Sequence, residues 1–237
     1  MTENKNTDTM IDEMFNAGAH FGYSKRMRHP STKKFIFTHK NKTDIIDLEK
    51  TYESLQDAKA FIEGLAKDGK TILFVGVKPE SKDVIKEAAS SIEMPYVTER
   101  WIGGTLSNFS EIKSRVDTLL DMRTKKEAGE FDKYTKKEQL LLEHKMNKLD
   151  RLFSGLVNLK KLPDALFVVD SKHEHIAIKE AQLLEIPVFG LCNSDCNIKE
   201  IEHPIVANDS AISSISFFTH SLVDAYKKAL SSKNKEE

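Results

Sequence analysis

Apolar residues recur three and four positions apart near the start of the chain. Met10, Ile11, Met14 and Phe15 fall on one face between Thr7 and Ala17, with Asp8 as a cap and Gly18 as a stop, which predicts a short amphipathic helix. The runs FIF and TDIIDL, joined by the polar HKNK, predict a small β-hairpin. Leu48 to Lys67 is a long helical pattern whose buried face carries Leu48, Tyr52, Leu55, Ala58 and Ile62, closed by Asp68-Gly69. The pattern then alternates. TILFVGV is a continuous apolar run of the buried parallel-strand type, and Pro79 opens a helix through Ile85 and Ala88. PYV, LPDALFVVD and IPVFGLC read as further strands, HEHIAIKEAQLLE as a helix and Ile212 to Leu230 as the closing helix. Strands alternating with helices of this length predict a doubly wound α/β core, a parallel sheet covered on both faces.

One segment breaks the alternation. Between Leu106 and Leu156 no strand signal occurs, while Phe109, Ile112, Val116 and Leu119, then Leu142, Met146, Leu149, Phe153 and Leu156, keep a three-four spacing. The polar KKEAGEFDKYTKKE lies between them. Two antiparallel helices forming an inserted coiled-coil hairpin is the reading that spacing suggests, with a pair of ordinary surface helices as the competing one. The expected organisation is an α/β core over 1–104 and 157–230 with a basic N-terminal extension, a hairpin over 105–156, and a disordered tail over 231–237.

Charge changes this picture more than composition does. With 39% hydrophobic and 31% charged residues over 237 positions, the chain reads as a soluble globular protein. Its polar start suggests neither a secretory signal nor an anchor, and the apolar runs are strand-sized, so no membrane is implied. Cys192 and Cys196 are the two cysteines, which points to a reducing compartment, by default the cytoplasm. A formal net charge of -1 hides a lopsided distribution. From Phe21 to Thr43 stand Lys25, Arg26, Arg28, Lys33, Lys34, Lys40 and Lys42 with no acid among them, whereas acids outnumber bases between Asp164 and Asp224.

Signals for catalysis are weak. The turn after TILFVGV holds no G-x-G-x-x-G, and no P-loop, nucleophile elbow or H-E-x-x-H occurs in the chain. RWIGGTLSNF, with Gly103-Gly104 before a helix, reads either as an anion-holding loop or as a tight joint capped by Thr105 or Ser107. His173 and His175 are two apart on a helix and point to different faces, a poor chelate. Cys192 and Cys196 with His203 and Asp209 form a weak metal candidate that completes no zinc template, so no metal and no cofactor are expected. The basic stretch stands apart, because it interleaves its cations with Tyr23, His29, Phe35 and Phe37. Cations for phosphates and rings for bases are the components of RNA binding, and a solvated basic loop is the alternative.

The stretches AGAHFGYSKRMRHP, FIFTHKNKTDIIDLEKTY, ILFVGVK, ERWIGGTLSNF, FDKYTKKE, LPDALFVVDSKHEHIAIKEA and IPVFGLCNSD occur in the order and at close to the spacing of the S-two family of bacterial small-subunit ribosomal proteins. The resemblance runs from about Met10 to Tyr226. It implies a flavodoxin-like parallel sheet with a projecting helical hairpin, bound to small-subunit ribosomal RNA and neighbouring ribosomal proteins, and associated with docking of the large S-one protein. It also implies a non-enzymatic assembly component with no membrane and no DNA partner. Departures from the family's pattern occur where Arg28-His29-Pro30-Ser31 replaces a Trp-Asn-Pro-Lys run and where Val77 replaces a threonine. At Cys192-Asn193-Ser194 and at Val206 to Ser210 carboxylates are thinned out.

The residues expected at RNA are therefore Lys25, Arg26, Arg28, Lys33, Lys34, Lys40 and Lys42, with Arg100 at the hairpin base and Lys113, Arg115, Lys136, Lys137 and Lys148 on the hairpin. The competing function is a nucleotide- or cofactor-dependent α/β enzyme working at the strand ends. A purely protein-binding adaptor would explain the hairpin but not the acid-free basic stretch.

Overall fold

The computed structural model describes the backbone of residues 2–236 and the side chains of 7–232. Helix α1 spans Thr2–Asn16, so Asp8 lies inside it rather than at its cap. Its fully buried Met14 joins the main core, while Phe15 is exposed. Strand β1 (Phe21–Ser24), a 3-10 helix (Pro30–Phe35), β2 (Ile36–Lys40) and β3 (Thr43–Ile46) follow. They form a small antiparallel sheet of order β1-β3-β2. Its β2–β3 turn is made by Asn41 and Lys42, both at positive φ (50° and 66°), the two-residue hairpin geometry whose twist matches the flanking strands.

Helix α2 (Leu48–Lys67) begins at Asp47, whose carboxylate accepts from the Glu49 N–H at 3.2 Å. It buries Leu55 and Ile62 completely, each worth about 1.5–3 kcal/mol of transfer free energy. Strand β4 (Ile72–Val75), helix α3 (Pro79–Ser90) and the two-residue β5 (Tyr96–Val97) lead to α4 (Phe109–Glu127) and α5 (Lys136–Phe153). The chain closes with β6 (Ala165–Val169), α6 (His175–Leu183), β7 (Val188–Cys192), β8 (His203–Val206) and α7 (Ile212–Glu236). Helix α7 thus continues past Leu230 into the segment expected to be a disordered tail.

The five-stranded sheet has the order β5-β4-β6-β7-β8 with every neighbouring pair parallel, the doubly wound flavodoxin-like arrangement. Alternate strand residues serve opposite faces. Ile72, Phe74, Ala165 and Phe167 pack under α2, α3 and α7, while Leu73, Val75, Leu166 and Val168 pack under α6 and the bases of α4 and α5. Helices α4 and α5 run antiparallel, with Arg123 paired to Asp150 and Lys126 to Glu143. Ile112, Val116, Leu119 and Phe153 from this pair belong to the second core, so the hairpin's base is part of the domain interior. No helix among the described residues is long and apolar enough to cross a membrane.

Candidate nucleic-acid interface

The basic stretch is fixed to the sheet by one loop. Ser194, fully buried after β7, accepts from the Tyr23 N–H at 2.8 Å through Oγ, and its carbonyl accepts from the His29 N–H (2.9 Å) and from Thr32 Oγ1 (2.7 Å). Ser31 Oγ accepts from the Ile198 N–H at 3.2 Å. Four bonds between segments more than 160 residues apart turn a loop rich in cations into a rigid ledge, so ordering entropy is met on folding rather than on binding.

Arg28 does not belong with the exposed cations. Its guanidinium grips the fully buried Asp44 through Nε (2.6 Å) and Nη2 (2.5 Å), and His39 Nδ1 reaches the same carboxylate at 3.0 Å. Burial would push the Asp44 carboxyl up, but these partners hold it below the usual range. Arg28 is therefore engaged as the counter-ion of Asp44, which sets it apart from the cations free to meet a phosphate. Lys25, Arg26, Lys33, Lys34, Lys40 and Lys42 are all exposed. Lys25, Arg26 and Lys42 converge with Ser24 and His39 around a cleft of about 590 Å³. His39 was not singled out by the sequence, which put it in the polar turn HKNK, whereas β2 extends through it to Lys40. Lys33 and Lys34 close the 3-10 helix, with the Lys34 carbonyl accepting from Lys50 Nζ at 2.9 Å.

RWIGGTLSNF is a nest of backbone donors, and it is filled from within. The Glu180 carboxylate of α6, only 7% exposed, accepts from Trp101 Nε1 (3.2 Å), the N–H groups of Gly104 (2.8 Å), Leu106 (2.9 Å) and Ser107 (3.1 Å), and Ser107 Oγ (3.2 Å). Gly104 sits at φ 92°, a conformation open to glycine alone at little cost. Burial raises the Glu180 carboxyl, but the donors from Gly104, Leu106, Ser107 and Trp101 outweigh it and hold the group below its ordinary value. The stretch is a joint that carries its own anion, and Arg100 beside it is exposed. Neither Thr105 nor Ser107 caps α4. Its N-cap is Asn108, which makes no side-chain capping bond.

The crevice at the switch point of the sheet, where flavodoxin-like folds bind ligands, is likewise closed by the chain. Lys78, following β4, lies 2.5 Å from Asp170 and 3.0 Å from Asp209, and Asn193 Nδ2 donates to Asp209 at 2.8 Å. Desolvation acts to lower the Lys78 ammonium, yet the two carboxylates hold it well above its usual value. Asp170, Cys196 and Asp209 do bring possible ligand atoms within 4.8 Å of one another, but the ammonium already supplies their positive charge. The grouping differs from the one the sequence suggested, because His203 bonds Asp57 at 2.6 Å instead. His173 turns to Glu174 at 2.9 Å.

On the hairpin, Lys113, Arg115, Lys136, Lys137 and Lys148 are exposed, and Arg115 pairs with Glu111 at 2.8 Å. Lys136 and Lys137 begin α5, away from the sheet, whereas Arg115 and Lys148 meet at a groove beside Gly103. Lys145 joins them there, a residue the sequence reading passed over.

Comparison with known proteins agrees with this arrangement. The family model described as Ribosomal protein S2 matches residues 14–229. The "Small ribosomal subunit protein uS2" of Chlorobaculum tepidum is 42% identical over 223 residues, covering 94% of this chain and 90% of its own length. A match of that extent takes in the ledge, the joint, the hairpin and the sheet together, and the chain belongs to the ribosomal protein S2 family.

Proposed function

We propose that this chain fastens itself to small-subunit ribosomal RNA through the rigid basic ledge of the small sheet, and that the cations of α4 and α5 extend the contact. Membership of the S2 family makes it a structural constituent of the small ribosomal subunit, not an enzyme, associated there with RNA and other ribosomal proteins. The observation that carries the finer reading is the ledge itself. Six exposed cations, Lys25, Arg26, Lys33, Lys34, Lys40 and Lys42, stand on a backbone pinned by Ser194, and Asp44, the first acid after this run in sequence, is buried against Arg28. A fixed cationic surface neutralises phosphates and reads the course of an RNA backbone rather than base sequence. The acid-rich part from Asp164 to Asp224 is left for protein neighbours, the large S-one protein among them, since it would repel RNA.

The enzyme reading loses its place in the fold, because Lys78, Asp170 and Asp209 occupy the switch-point crevice and Glu180 occupies the glycine nest. The test is RNA affinity against salt for the parent and for Lys33→Glu with Lys34→Glu. The variant should bind more weakly, with a slope of log affinity against log salt shallower by about 1.4–1.8, two phosphate contacts. An unchanged slope removes these residues from the interface.

A further inference from the structure

We propose that the groove between Gly103 and α5 seats one unpaired nucleobase of the RNA, with its phosphate on the cations at the rim; this rests on the RNA-binding reading above. The groove holds about 400 Å³, within the range of small-ligand sites. Its floor is apolar, built from Ile112, Leu149 and Phe153, and its rim carries Arg115, Lys145 and Lys148. The lining includes one acid, Glu111, and Arg115 holds it at 2.8 Å. Lys145 and Lys148 make no ion pair among the described residues. An apolar floor beneath a cationic rim matches a nucleotide, flat and uncharged at one end and anionic at the other.

Gly103 supplies the second, independent argument. Gly104 needs its glycine for a positive φ, but Gly103 is not in that region. A Cβ at Gly103 would meet no atom within 4 Å. Neither conformation nor packing therefore accounts for a glycine on the groove wall, whereas close approach of a ligand to the backbone does. The same open surroundings mean that a side chain placed there enters the groove without disturbing the fold.

The experiment uses the full chain and small-subunit ribosomal RNA transcribed with 4-thiouridine. Gly103→Leu, checked by an unchanged melting temperature, should bind about tenfold more weakly, the loss of roughly one stacked base, with its salt slope unaltered because the lost contact is apolar. Lys145→Gln with Lys148→Gln, both on the surface, should instead flatten the slope by about 1.4–1.8. Long-wave irradiation of the parent complex should cross-link RNA to peptides bordering the groove, and Gly103→Leu should lose those links. If the parent binds RNA and Gly103→Leu binds equally well, the groove is not a base seat, while the proposed function stands. If Gly103→Leu leaves RNA affinity intact but releases a neighbouring ribosomal protein from reconstituted subunits, the occupant is a protein and the proposal falls. Failure of the parent chain to bind the RNA overturns both readings.

Discussion

Replacing Glu180 by Gln keeps the shape of the side chain and removes its charge and one of its two acceptor oxygens. In the parent, Oε1 accepts from Trp101 Nε1 and the Gly104 N–H, and Oε2 accepts from the Leu106 and Ser107 N–H groups and Ser107 Oγ. An amide has to point NH2 at one of these sets, donor against donor. Ser107 is exposed and recovers water, but Trp101 and Leu106 are 7% and 2% exposed and do not. One buried donor left without an acceptor costs about 1–3 kcal/mol, and converting the surviving charge-assisted bonds to neutral ones adds about 1 kcal/mol. The expected loss is about 3 kcal/mol in urea unfolding near neutral pH, or about 6–12 °C in Tm for a domain of this size. The pH dependence has a definite sign. The folded-state pKa of Glu180 lies below its unfolded value near 4.5, so its contribution is complete above that pH and disappears as pH falls through the folded value. The gap between parent and Glu180→Gln should therefore narrow progressively below about pH 4.5. A difference under about 0.5 kcal/mol at neutral pH, the scale of an ordinary surface change, would refute the filled-nest account.

Arg28→Met should destabilise by about 3 kcal/mol in chemical denaturation because it strands the buried Asp44, yet should leave the RNA salt slope as in the parent. A flattened slope would return Arg28 to the interface. Lys42→Gly, which relieves a residue held at φ 66°, should raise stability by about 0.5 kcal/mol while flattening the salt slope of RNA binding by about 0.7–0.9. Stability gained with no change in slope would show Lys42 to be a turn residue only.

How much could be read from the chain depended on whether the signal was local. Helix α2 was bounded correctly, its apolar face giving the span and Asp68-Gly69 its end, and β4, β6 and β7 were visible as buried apolar runs. The three-four spacing of Ile112, Val116, Leu119, Met146, Leu149 and Phe153 gave two helices whose faces do meet. Strand β8 was missed because Pro204 argues against a strand, and it is tolerated there because β8 lies at the sheet's edge. Strand β1, FGYS, has too little alternation to announce itself, and it pairs with β3 through an irregular register.

The site was legible as charge but not as geometry. The acid-free run was counted as far as Thr43, and the next residue, Asp44, is the one that pairs with Arg28. Glu180 lies 73 or more positions from every donor it serves, so nothing local marks the link. One trace did exist in the sequence: a lone acid among the buried Ala177, Ile178 and Ala181 on α6. Ser194 gave no sign in the sequence that the basic stretch would hang from it.

If a charged surface holds this chain on the small ribosomal subunit, salt must release it. Sedimentation of a cell lysate through gradients at moderate and then high salt, following the chain by its own mass, tests it most directly. The chain should travel with the small subunit at moderate salt, and a growing fraction should be released as salt rises. A chain that remains at the top of the gradient with free proteins under both conditions would contradict that expectation.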